Sequence, residues 1–153
     1  MIAIIGYGSE IRHDDYIGIY AARHIQKKFK DSVHVYEGYN SVDLLMLFEH
    51  YTELFIIDAA FLEKDVGGFV KVPVEELNIP DDTSFASHDT NFKQLLPLAR
   101  SMGYKIPRIT FYLIQPSVLE IGEGFSPELQ KKIPEFLEYL EKEVSQIQKG
   151  SLE

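Results

Sequence analysis

Cysteine is absent from all 153 residues, which removes disulfides, thiolate metal sites, thiol nucleophiles and sulfur-based redox switching from consideration. Any metal held by side chains must therefore use His, Asp or Glu. Long apolar runs are missing too. Nothing is long enough to span a bilayer, and the N-terminus lacks the charged and apolar regions of a signal peptide, so a cytoplasmic protein with no membrane partner is expected. Positive charge is scarce: 15 Lys and Arg stand against 24 Asp and Glu, a formal net charge of −9. Nucleic acids and anionic surfaces need clustered cations, and Lys27, Lys28 and Lys30 read as the closing charges of a helix, so no nucleic-acid partner is expected.

What remains is an ordinary globular composition, 45% apolar and 25% charged, with enough chain for one core. We expect a single domain over residues 1–149 and a frayed tail at 150–153. The apolar runs Ile2–Ile5, Val33–Tyr36, Leu54–Ile57, Phe69–Val72 and Ile109–Ile114 read as strands. Helical patterns lie between them, starting after Asp15, at Ser41 and at Asp89 or Thr90, and a last helix opens at Ser126-Pro127 and bends at Pro134. Glu75 to Ser87 has little periodicity and reads as an irregular loop. Strands alternating with helices predict an α/β three-layer sandwich, a largely parallel twisted sheet with helices on both faces.

The stretch Gly6-Tyr7-Gly8-Ser9-Glu10-Ile11-Arg12-His13-Asp14-Asp15 runs from strand to helix. Asp14 or Asp15 is placed to cap backbone N–H groups while the other presents its carboxylate. With strand order 2-1-3, the carboxyl ends of strands one and three form the switch point, where Asp14/Asp15 and Asp58 flank one crevice. The loop carrying His88 can reach the same edge. Two carboxylates and an imidazole suit a divalent ion such as zinc or nickel with positions left open for hydrolysis. Plainer readings stand beside this one: Asp15 as a helix cap, Asp58 as a polar strand end and His88 as a surface histidine. His13 is a further candidate, whereas His24, His34 and His50 fall on structural patterns. Ser9, Ser87 and Ser117 lack the Gly-x-Ser-x-Gly elbow of a serine hydrolase. Gly6-x-Gly8 with Glu37 admits a nucleotide-binding reading, but the third glycine is missing and the paired acids would repel a pyrophosphate.

Gly6-Tyr7-Gly8, Asp14-Asp15 and Gly18, followed by Ile56-Ile57-Asp58-Ala59, Gly68-Phe69-Val70-Lys71-Val72, Ser87-His88, Ile114-Gln115-Pro116 and Ser126-Pro127, resemble the endopeptidases that mature nickel–iron hydrogenases. The resemblance spans nearly the whole chain and implies an α/β sandwich. It implies that Asp15, Asp58 and His88 contact metal, and that the partner is the precursor of the hydrogenase large subunit, which loses a C-terminal extension after nickel insertion. Nickel would then arrive with the substrate, and zinc or cadmium are surrogates. The sequence departs from the family pattern at Ser9, at Tyr16 and at Gly38-Tyr39-Asn40. A non-catalytic metal-sensing or assembly module on the same fold is the alternative expectation.

Overall fold

The computed structural model describes residues 1–77 and 92–152. Five strands, β1 (Ile2–Gly6), β2 (Val33–Glu37), β3 (Glu53–Ala59), β4 (Phe69–Pro73) and β5 (Arg108–Ile114), form one sheet in the order β2-β1-β3-β5-β4. The pairings of β1 with β2, β1 with β3 and β3 with β5 are parallel, and β4 lies antiparallel on β5. The linker between β3 and β4 contains no helix. A parallel return normally requires a helical crossover, so this link suits a reversed strand. Edge position also accommodates Pro73, which has no N–H to give a second neighbour.

The alternation within the strands sorts the core into two layers. Ile2, Ile4, Phe55, Ile57, Tyr112 and Ile114 face one side, where α1 (Ile17–Phe29), α4 (Pro127–Gln130) and α5 (Ile133–Leu152) supply Ile17, Ala21, Ile25, Leu129, Phe136, Leu140 and Val144. Ala3, Ile5, Leu54, Ile56, Phe111 and Leu113 face the other, against α2 (Ser41–Phe48) and α3 (Phe92–Ser101), which supply Leu44, Phe48, Leu95 and Ala99. The central strands are consequently apolar on both faces, the pattern of a parallel sheet sandwiched between helices.

Several local expectations change. Asn40, rather than Ser41, caps α2: its side chain accepts from Asp43 N at 3.0 Å while Asp43 Oδ2 accepts from Asn40 N at 3.3 Å, a reciprocal capping box. The last helix is two helices, α4 and α5, instead of one bent at Pro134. Pro134 falls in the first turn of α5, where a missing N–H costs no intrahelical bond. Helical backbone runs through Gly150 to Leu152, the last described residue, and a single glycine weakens a long helix by only about 1 kcal/mol. The start expected for α3 at Asp89 or Thr90, and most of the irregular loop, lie outside the described residues.

Gly18 seats α1 on the sheet. A Cβ there would lie 2.3 Å from the Tyr7 carbonyl oxygen and 2.4 Å from that of Ile57, both main-chain atoms of limited freedom. Gly18→Ala should therefore cost about 1–3 kcal/mol by overpacking. Urea unfolding checks this, and an unchanged midpoint would mean that α1 is not held so closely.

Candidate functional site

Past Gly6, the chain leaves the sheet at its carboxyl edge. Tyr7 N donates to Ile57 O at 3.0 Å, so the exit of β1 stays against the end of β3. Gly8, at φ +135°, then brings the loop beneath the acidic pair, where a Cβ would lie 1.8 Å from the Asp15 carbonyl oxygen. The glycines of Gly6-Tyr7-Gly8 thus serve contact between backbone segments.

Asp14 and Asp15 sit in a 3-10 turn, His13–Tyr16, that leads into α1. Asp14 is fully buried. Its Oδ2 accepts from Ser117 N at 2.7 Å, Val118 N at 3.1 Å and Ser126 Oγ at 2.8 Å, and its Oδ1 accepts from Ser126 N at 2.7 Å. One of the two acids does satisfy backbone N–H groups, as the sequence suggested, but those groups belong to the loop that follows β5. Sequence reading found Ser126 as the cap of α4, and its Oγ does accept from Leu129 N at 3.3 Å. It missed the bond from that same hydroxyl to Asp14, because a bridge across 112 positions leaves no periodicity. Main-chain bonds extend the junction: Asp14 N to Val118 O at 2.9 Å, His13 N to Gly122 O at 3.0 Å and Gly122 N to Ile11 O at 2.8 Å.

Asp15 is 3% exposed, and Arg12 Nη1 stands 3.9 Å from its Oδ2. Asp58 closes the apolar run of β3, fully buried, with Oδ1 accepting from Ala59 N at 2.8 Å. β1 and β3 are adjacent and parallel, and the 3-10 turn packs against β3. Asp15 and Asp58 therefore lie at the same carboxyl edge, at the switch point between β1 and β3. His88 lies outside the described residues. Among the described residues, no group of three or more His, Asp or Glu side chains is arranged to hold a metal ion.

The other candidates have structural partners. His13, itself at φ +45°, places Nδ1 2.9 Å from Gly124 O, and its ring lies against Gly122. His24 pairs with Glu141 at 2.8 Å, His34 contacts the Tyr51 hydroxyl, and His50 is exposed. Arg23 donates to both oxygens of Glu37, at 2.7 and 2.9 Å. That bond holds the Glu37 carboxyl below the ordinary carboxylate range and occupies the oxygens a ribose would need.

The family model described as hydrogenase maturation protease matches residues 19–143. The chain belongs to this family. As a hydrogenase maturation protease it is a hydrolase, an endopeptidase that acts on hydrogenase. Its fold is shared with the maturating endopeptidase HybD of E. coli at 20% identity and a TM-score of 0.72, over 91% of this chain and 88% of that one. HybD of Thermococcus kodakarensis is 24% identical with a TM-score of 0.68, over 92% of this chain and 97% of that one. HycI of Thermococcus kodakarensis KOD1 is 16% identical with a TM-score of 0.70, covering 92% and 90%. None of the curated protein sequences matches this chain.

Asp14→Ala would leave three N–H groups and one hydroxyl without their acceptor, and two of the four, Ser126 N and Ser126 Oγ, are buried. At about 1–3 kcal/mol for each unsatisfied buried group, the loss should be at least about 2 kcal/mol in chemical unfolding. A variant within about 1 kcal/mol of the parent would show that the junction holds without this carboxylate.

Proposed function

We propose that this hydrogenase maturation protease removes the C-terminal extension of the nickel-loaded large-subunit precursor, with Asp15, Asp58 and His88 engaging the substrate's nickel. The observation that supports it is the burial of two carboxylates at the adjoining carboxyl ends of β1 and β3 in a chain of this family. Carboxylates and imidazole are suitable ligands for a borderline cation already held by substrate thiolates. A precursor without nickel would lose those bonds, and each 1.4 kcal/mol lost is tenfold in affinity. Metal loading thereby becomes the checkpoint for cleavage. A cation held there would make a nearby water more acidic, and a carboxylate of the pair is available as general base. The reaction takes place in the cytoplasm.

Incubation with nickel-loaded precursor, followed by mass spectrometry of its C-terminus, tests the reading directly. The parent protein should shorten the precursor, whereas Asp15→Asn, Asp58→Asn and His88→Ala should remain folded and leave it intact. Tight binding by the parent without shortening would instead assign the chain to a non-catalytic assembly role. Zinc or cadmium, as surrogates for nickel, should raise the thermal midpoint of the parent and not that of Asp15→Asn or Asp58→Asn. Equal shifts in all three proteins would remove these carboxylates from the ligand set.

A further inference from the structure

Arg12 stands between the apolar exit of β1 and the acidic turn, and its two ends are tethered differently. Its main chain is fixed: Arg12 N donates to Ser9 O at 3.2 Å, and its carbonyl accepts from Asp15 N at 3.0 Å. Among the described residues its side chain makes one hydrogen bond, from Nε to Leu119 O at 3.0 Å. A guanidinium has five N–H donors in a rigid plane, and this bond uses one. At 3.9 Å, Nη1 is too far from Asp15 Oδ2 for a hydrogen bond, so it acts on that carboxylate as a neighbouring charge. Exposure divides the pair: the Arg12 side chain is 37% exposed and that of Asp15 4%. A permanent cation, partly exposed and with donors that no described residue takes, is thus held beside a buried carboxylate.

We infer that Arg12 is a catalytic residue, donating from its Nη atoms to the carbonyl oxygen of the scissile peptide. The inference rests on the proteolytic reading above. In the step, water adds to the carbonyl carbon and passes one proton to a carboxylate base, and the C=O electron pair moves onto oxygen. The resulting oxyanion lies against the guanidinium. Collapse restores the carbonyl and breaks the C–N bond, and the departing nitrogen takes the proton from the base, so that one water is consumed per peptide cleaved. Negative charge exists on that oxygen only as the reaction proceeds, so the donor favours the transition state over bound substrate. Leu119 O contributes by orienting the guanidinium plane beforehand, which links the loop after β5 to the chemistry.

The test uses full-length protein and nickel-loaded large-subunit precursor, with binding and single-turnover cleavage measured separately. Arg12→Met should cleave about 10²–10³-fold more slowly while binding precursor within about threefold of the parent. Arg12→Lys should recover part of the rate, and methylguanidine added to Arg12→Ala should accelerate it. Cleavage by Arg12→Met within about twofold of the parent rate would overturn the inference. So would a loss of rate matched by an equal loss of binding and not relieved by methylguanidine, which would make Arg12 a structural residue. A parent protein that fails to cleave would overturn the proteolytic reading itself, and this inference with it.

Discussion

The carboxylate of Asp14 is the constraint on which the site's geometry depends. It is buried, and it accepts four hydrogen bonds from residues more than a hundred positions away, at Ser117, Val118 and Ser126. A buried charge is stable only when its lone pairs are satisfied, so the loop after β5 has little freedom to leave it. The consequence reaches the neighbouring residue. Asp15 is next in the chain, within the same 3-10 turn, so the lock on Asp14 sets where Asp15 emerges. One acid organises the backbone, and the other is the one for which a role at the substrate's metal is proposed.

Residues that depart from the family pattern are engaged in the scaffold beside this junction. Tyr16 stacks on Phe125 at 5.9 Å and receives a hydrogen bond from Arg23 at 2.9 Å. It therefore packs α1 against the same loop that Asp14 holds by charge. Asn40 caps α2, and the Tyr39 carbonyl accepts from the Tyr7 hydroxyl, tying the end of β2 to the exit of β1. These positions act on the support of the site, so substitutions there alter its packing while Asp15 and Asp58 keep their places at the strand ends.

Much of this was legible in the chain itself. The apolar run Leu54–Ile57 of β3 announced a strand buried on both faces, because no polar residue interrupts it. Phe136, Leu140 and Val144 announced the buried stripe of α5. Boundaries were less legible where two residues compete for one role. Asn40 displaced Ser41 as the cap because Asn40 and Asp43 satisfy each other's backbone N–H groups. Pro134 marked a new helix start rather than a bend, since its fixed φ suits a first turn as well as a kink.

By itself, the amino-acid order determined the alternation of strand and helix, the two-sided core and the placing of two acids at strand ends. Those features follow from periodicity and local backbone preference, which act over a few residues. Only the tertiary structure decided that Asp14 is a structural ligand and Asp15 the acid beside Arg12, for the two are chemically identical neighbours. Their difference is created by what each meets across the molecule: backbone N–H groups and a hydroxyl in one case, an arginine at the carboxyl edge of the sheet in the other.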